Sequence, residues 1–303
     1  MQIPHIDFSQ PDEPRGITEV DRALCEYGFF QATGLGIDIE LQQQVFSLSR
    51  QFFSLPAAQK QRFAYRSAQV NFGYQGLQQE NLDPLAPADL KETFTMRNIL
   101  RRPMAPARWP DPQFETLCHA LYTDLLRAAR RLQVVLARAL GLPHEFFVRV
   151  HNGENVTLRL LHYPCMAANQ ISRDQLGAGA HTDYGMLTLL LQDDVGGLQV
   201  RDPHGRWLAV PPQPGCAVVN CGDLLEVWTN GRYPSTQHRV QPNQSDRPRT
   251  SIAMFVDPDS ATRVDVLPSC VDAAHPPRFD ATTAGEHLQR KLEASHKQRF
   301  SAR

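Results

Sequence analysis

The sequence predicts a helical front half buttressing a C-terminal β-sandwich or barrel. Apolar residues recur at helical spacing through the first half. After about residue 154 the chain breaks into short β-rich runs, and glycine- and proline-containing turns punctuate those runs. From Thr18, read as an N-cap with Asp21 three residues on, Val20, Leu24 and Tyr27 share one face until Gly28 stops the pattern. Gly28-Phe29-Phe30 reads as a short buried strand. A second amphipathic helix runs from about Asp38, with Leu41, Val45, Leu48 and Phe52 on its core face, and ends before Pro56. Residues 97–110 collect Arg97, Arg101, Arg102 and Arg108 among Pro103, Pro106 and Pro110 and read as a solvated surface connection, although such arginines could also meet an anionic ligand. Asp111-Pro112 then supplies an N-cap and a first-turn proline for the longest helix, whose stripe is Leu121, Leu125, Ala128, Leu132, Val135 and Ala139 before Gly141 and Pro143.

The β-rich runs are Val156 to Tyr163, Met186 to Gln192, Leu198 to Arg201, Trp207 to Val210, Cys216 to Asn220, Gln237 to Val240 and Ser251 to Val256. Asp202-Pro203-His204-Gly205 and Asn230-Gly231 are turn signals between them. The last thirty residues return to helix, with Ala284 to Ala294 rich in helix formers.

Composition narrows the function. In 303 residues, thirty-one basic side chains meet thirty-two acidic ones, so no basic excess announces nucleic acid or an anionic membrane, and a small-molecule ligand is the expectation. No run approaches the roughly 18 apolar residues of a membrane span and the first residues carry no secretory pattern, so a cytoplasmic protein is expected. The six cysteines, Cys25, Cys118, Cys165, Cys216, Cys221 and Cys270, include no C-x-x-C pair; reduced thiols are expected.

Chemistry concentrates in Gly179-Ala180-His181-Thr182-Asp183-Tyr184-Gly185. There an imidazole and a carboxylate two residues apart project to one side of an extended segment. The spacing alone is weak, because His5-Ile6-Asp7 shares it. His238, 55 residues after Asp183 and on another expected strand, completes two imidazoles and a carboxylate, the facial set that holds a divalent metal with positions left open. Catalytic zinc suits the same donors. Arg249 and Ser251, two apart at the start of the last strand, could grip a carboxylate through a charged contact and a neutral donor, and Tyr163 could add a phenolic donor from a neighbouring strand. Such a clamp for a dicarboxylate argues against a simple zinc hydrolase. Asp223, after a glycine and before an apolar run, reads as a cap or turn residue, and Gly185, Gly197 and Gly222 as backbone punctuation.

With these motifs in order, the sequence resembles the 2-oxoglutarate- and Fe(II)-dependent dioxygenases of the isopenicillin N synthase type along nearly its whole length. Ile3 to Asp7, Tyr27 to Phe30 and Phe52 to Pro56 match the family's front region. Gly179 to Gly185, Gly196 to Val200, Asn220 to Asp223, Thr229 to Val240 and Arg249 to Ser251 follow in its order and spacing. The resemblance implies a mainly β fold with flanking helices, a double-stranded β-helix or jelly-roll core behind a helical N-terminal half. It divides the chain into an N-terminal oxygenase region (1–110), a buttressing helix (111–153), the jelly-roll core (154–260) and a C-terminal helical tail (261–303). It implies that His181, Asp183 and His238 bind Fe(II), that Arg249, Ser251 and Tyr163 hold 2-oxoglutarate, and that dioxygen takes a remaining position. The expected outcome is hydroxylation, desaturation or cyclisation of a small substrate such as an amino acid, peptide or natural-product intermediate, by a monomer or homodimer. His5 becomes part of an ordinary N-terminal strand. Leu161 and His162 stand where many plant members carry asparagine and tyrosine, and Gly34-Leu35-Gly36 replaces Asn-His-Gly; the first two are expected near the co-substrate.

Strand alternation puts Arg159 on the face of Tyr163, and Phe255 on the face of Arg249 and Ser251, so Arg159 is expected to bind an anionic or polar substrate group, or to form a rim salt bridge, and Phe255 to pack against the substrate's body. Asn71 and Tyr74 are expected in the pocket's far wall. Rival readings are an Fe(II) oxidase of the same fold that uses no 2-oxoglutarate and a non-catalytic metal- or ligand-binding protein.

Overall fold

The computed structural model describes residues 2–9, 14–83 and 85–291. The front half holds helices α1 (Pro14–Tyr27), α2 (Ile39–Phe53), the single-turn α3 (Ala57–Lys60) and the long α4 (Pro112–Ala139). It also holds four strands, β1 (His5–Asp7), β2 (Phe29–Thr33), β3 (Phe72–Gln75) and β4 (Glu92–Arg97). Eight strands follow: β5 (Asn155–Tyr163), β6 (Ala178–His181), β7 (Leu187–Gln192), β8 (Leu198–Arg201), β9 (Trp207–Ala209), β10 (Ala217–Cys221), β11 (His238–Val240) and β12 (Arg249–Asp257), with the short helix α5 (Asp223–Trp228) after β10. A two-strand ladder, β13 (Arg263–Val264) with β14 (Thr282–Thr283), precedes a helix that starts at Ala284 and is described to residue 291.

The strands form two main sheets, ordered β1-β2-β10-β7-β12-β5-β4-β3 and β6-β11-β8-β9. Alternation decides what each face does. On the larger sheet, Val156, Leu158 and Leu160 of β5, Leu187, Leu189 and Leu191 of β7, and Ile252, Met254 and Val256 of β12 face the helices and join Val20 and Leu24, Val45 and Phe52, and Leu121, Leu125 and Leu132 in one core. The opposite face turns toward the small sheet, where Leu161, Tyr163, Val218 and Ala253 meet Ala178, Leu198, Val200 and Val240 in a second cluster. This is the expected jelly roll, two sheets enclosing an interior that is only partly apolar.

The helix starts obey their caps. Asp38 accepts hydrogen bonds from the Glu40 and Leu41 amides at 2.8 and 3.1 Å, and Asp111 accepts from Phe114 at 2.8 Å. Other expectations need correction. α1 begins at Pro14, so Thr18 lies inside it and is no N-cap; Gly16 interrupts the helix-forming pattern and hides that first turn. The front half keeps the expected helical character, and its short strands β1 to β4 extend the larger sheet on both sides. Arg97 ends β4 and does not belong to the connection that follows, which includes a 3-10 turn at Pro106–Arg108. Residues 261–283 are turns, short strands and one 3-10 turn at Pro268–Cys270, so the helical tail starts only at 284; residues 292–294 of the expected helix lie outside the described residues. Among the described residues no helix is long and apolar enough to cross a membrane.

Candidate functional site

β6 and β11 are antiparallel neighbours, and their register sets His238 opposite His181. The imidazole centroids are 4.2 Å apart. Asp183 follows in the turn after β6. Its Oδ1 lies 3.8 Å from His181 Nε2 and 3.7 Å from His238 Nε2, and one ligand atom from each of the three residues falls within 4.8 Å of the others. The remaining polar atoms of the three are occupied. His181 Nδ1 donates to the Gly179 carbonyl at 2.7 Å and His238 Nδ1 to the Thr236 carbonyl at 3.2 Å, which leaves both Nε2 lone pairs free for a metal. Asp183 Oδ2 accepts from Thr188 Oγ1 at 2.6 Å and from Asn220 Nδ2 at 2.7 Å, so Oδ1 is the free oxygen. Phe29 packs edge-on to His238 at 5.3 Å.

Electrostatics fit that arrangement. Burial, and then His238 alongside, pull the His181 imidazole down to about 3, so it is neutral at pH 7 and able to ligate. Burial raises the Asp183 carboxyl, but the two imidazoles and the Asn220 and Thr188 hydrogen bonds outweigh it and hold the group below its usual range. The turn is pinned by close backbone approaches. A Cβ on Gly222 would lie 2.3 Å from the Gly185 carbonyl oxygen, and one on Gly185 would lie 1.5 Å from Asp257 Oδ1. That oxygen accepts the Met186 amide at 3.0 Å, and the Asp183 carbonyl accepts the Asp223 amide at 2.8 Å. Asp223 occupies the first turn of α5, where its carboxylate meets Lys291 at 2.6 Å.

Further along the same inner face stands the expected clamp. Arg249 is 1% exposed and pairs across β5 with Tyr163, whose ring lies 4.6 Å from the guanidinium carbon. Arg249 Nη1 donates to Ser251 Oγ at 3.2 Å and Nη2 to Gln192 Oε1 at 2.9 Å, while Nε has no partner. Among the described residues no carboxylate lies within ion-pair distance of this buried cation. A buried charge with neutral partners only is costly, and an anionic ligand would relieve it. From Thr188 to Gln192 is four residues of β7, about 13 Å of strand, so the triad and the clamp occupy two levels of one interior.

The substrate candidates divide. Arg159 and Phe255 face the interior as expected, and both are half-buried. Arg159 is already engaged: its guanidinium is ion-paired with Glu80 and donates to Thr93 Oγ1 at 3.1 Å, the salt-bridge alternative. Asn71 lies in a left-handed turn (φ 48°) before β3. Tyr74 does not line the interior. Register with β4 turns it outward, where it packs on Phe52 and Phe53, bonds to Glu92 and stands under Lys60. His162 also departs from expectation, stacking on Phe53 at 5.0 Å on the outer side, whereas Leu161 faces the interior. His5 is exposed and bonds to Thr33, apart from the triad. Sequence reasoning assigned no role to Thr188, Asn220 or Gln192. Asn220 stood in a recognised segment, but all three roles depend on cross-strand register.

Two family profiles match the chain: the 2OG-Fe(II) oxygenase superfamily over residues 155–258, and the N-terminal region described as non-haem dioxygenase in morphine synthesis over residues 3–112. The 2-oxoglutarate-Fe(II) type oxidoreductase hxnY of Emericella nidulans is 35% identical over 292 residues, covering 91% of this chain and 83% of that protein. A homoarginine-6-hydroxylase of Glycine max is 35% identical over 321 residues, covering 96% of each. Among solved structures, a full-length Neurospora crassa protein in complex with alpha-KG superposes with a TM-score of 0.87 at 29% identity, over 97% of this chain and 96% of that one.

Proposed function

Because the chain belongs to the 2OG-Fe(II) oxygenase superfamily, we propose that His181, Asp183 and His238 hold its Fe(II) through two Nε2 atoms and Oδ1, and that Arg249, Ser251 and Tyr163 hold the far carboxylate of 2-oxoglutarate. The protein is an oxidoreductase that couples the conversion of 2-oxoglutarate and dioxygen into succinate and carbon dioxide to oxidation of a small organic molecule. Bound iron supplies the activation of dioxygen that this coupling needs. The chain's own groups do the rest. Thr188 and Asn220 orient the carboxylate, two backbone carbonyls fix the imidazole tautomers, and the apolar interior around Phe29, Leu161 and Ala253 limits water.

The observation that carries the clamp is Arg249, a buried guanidinium with only neutral partners and a donor to spare. Its charge offsets a ligand that would otherwise leave the site net negative. Substrate contacts are proposed for Phe255, against the substrate's body, and for the Arg159–Glu80 pair as a polar wall; Asn71 is proposed at the pocket's edge. An amino acid, a peptide or a natural-product intermediate is the proposed substrate class, with hydroxylation as the base reaction and desaturation or ring closure as variants. We further propose a cytoplasmic monomer or homodimer that binds no nucleic acid, in keeping with six free cysteines and balanced charge.

Anaerobic titration of the Fe(II)-loaded protein with 2-oxoglutarate tests the reading. A visible charge-transfer band is expected; its absence, with and without substrate, overturns the co-substrate assignment. A succinate-release screen over amino acids including homoarginine, peptides and natural-product intermediates, with His181→Ala as blank, then identifies the substrate.

A further inference from the structure

Arg159 was expected to meet a substrate anion, but Glu80 already neutralises it. Another arginine faces the same interior without such a partner. Arg97 stands opposite Thr157 in the β4–β5 ladder, Thr157 opposite Phe255, and Phe255 opposite Thr188, whose hydroxyl bonds Asp183. Opposed residues share a face, so Arg97 points to the inner side at the level of the triad, three strand spacings or about 14 Å away along the sheet. Thr157 and Phe255, between them, are only half-buried.

Arg97 lines a cavity of about 290 Å³ together with Gln69, Val70, Arg102, Met104 and Glu154. Its guanidinium bonds Asn155 Oδ1, and Asn155 is fixed in turn by donating to the Pro258 carbonyl at 2.8 Å and to Ser260 Oγ at 3.1 Å. A neutral carboxamide therefore aims the cation without cancelling its charge. Asp257 lies close enough to feel Arg97, but the two form no ion pair, and Asp257 Oδ1 accepts the Met186 amide instead. The exposed Arg102 guanidinium has no partner among the described residues. Two cations face one cavity whose only acid among the described residues is Glu154.

We propose that this cavity binds the carboxylate of the substrate through Arg97 and Arg102, so that the enzyme takes an elongated organic acid and oxidises it at a carbon remote from that carboxylate. The inference rests on the oxygenase reading above. The balance is that of the family reaction: one C–H bond becomes C–OH with one oxygen atom of dioxygen, while 2-oxoglutarate takes the other and leaves as succinate and carbon dioxide. Glu154 offers a site for the ammonium of an α-amino acid, so simple acids and amino acids share the carboxylate chemistry and are told apart by experiment.

The test is a panel of linear, aromatic and α-amino acids that includes octanoate, 4-phenylbutanoate and L-homoarginine, each beside its primary amide, with succinate release and product position as readouts. Acids are expected to stimulate turnover, their amides to fall silent, and the new hydroxyl to lie away from the acid end. Glu154→Gln is expected to weaken only the amino acids, if those are the active members. Arg97→Gln should raise the KM of the active acids tenfold or more with kcat within about twofold, Arg102→Gln less, and exposed Arg127→Gln not at all. Calorimetric binding of the acids to metal-free wild type and Arg97→Gln should show the same loss without turnover. Amides as active as acids, silence of every acid, oxidation beside the carboxylate, or an unchanged KM in both Arg97→Gln and Arg102→Gln would overturn the proposal. Failure of the oxygenase reading is distinguishable, because the 2-oxoglutarate band and substrate-free succinate release would then be missing from the wild type. Their selective loss from Arg97→Gln would make Arg97 structural and overturn the proposal as well.

Discussion

Arg249 carries a stability cost that the ligand relieves. Its Nη atoms meet Ser251 and Gln192, each hydrogen bond from the charged donor contributing about 1.5–3 kcal/mol, which at most offsets the desolvation of a full charge, itself several. Arg249→Met is therefore expected to leave the ligand-free unfolding midpoint unchanged or raised while abolishing the 2-oxoglutarate band. A midpoint lowered by more than a few degrees would show that the arginine supports the fold on its own. At the other end of the interior, Asn220→Ala and Thr188→Val each strip one donor from Asp183 Oδ2 and free that oxygen to swing from its set position. Each should weaken Mn(II) binding, read by titration, about tenfold to a hundredfold with the fold intact. Equal affinity in both variants would mean that Asp183 is held by its turn alone. The ligand residues were legible because chemistry writes them at fixed spacing. Their supports were not, because a threonine five residues away and an asparagine 37 residues away reach Asp183 only once β7 and β10 lie side by side.

At the scale of elements, the strands that the sequence announces carry a continuous apolar or alternating pattern. β5, β7 and β12 end within two residues of their expected limits because each buries one whole face under helices. β6 escaped a firm assignment. Ala178-Gly179-Ala180-His181 has no β-branched residue, and its pairing with β11 and the bond from its Gly179 amide to Asp89 make it a strand. β3 and β4 went unassigned although Phe72, Tyr74, Thr93, Phe94 and Thr95 favour strands, and without their pairing the parity that turns Tyr74 outward could not be read. The turn between β6 and β7 gives the sharpest expectation at this scale. In Gly185→Ala the new methyl and Asp257 Oδ1 cannot coexist at 1.5 Å, so Asp257 must release the Met186 amide and the segment carrying Asp183 must shift. Metal affinity should fall at least tenfold, more than the stability change explains. A variant that binds Mn(II) as the wild type does would show that the turn relaxes elsewhere.

Across the whole molecule, the segment between β3 and β4 fills the seam beside β6 and ties the halves together. Asp89 accepts the Gly179 amide of β6 at 2.9 Å, the Leu90 amide donates to Leu176, and Glu80 reaches Arg159 on β5. Lys91 joins Glu80, at 3.4 Å, to Asp89, so two cations and two anions form one buried network with no net charge. Removing one anion unbalances it. Glu80→Gln leaves Arg159 with Thr93 as a neutral partner and Lys91 with Asp89 alone, a change expected to cost about 3 kcal/mol and to lower the unfolding midpoint by about 5–10 °C. The effect has a pH signature. Burial pushes the Glu80 carboxyl up, but Arg159 and Lys91 outweigh it and hold the group below its ordinary value of 4.5. A carboxyl whose folded pKa is depressed stabilises the fold above the unfolded value, and that contribution is lost as pH falls through the folded one. The difference between wild type and Glu80→Gln should therefore be full at pH 7 and shrink progressively below about pH 4.5. Thermal unfolding of both proteins across that range is the measurement. A gap that stays constant as the solution is acidified would mean that glutamine fails for steric reasons and that the network contributes no electrostatic stability.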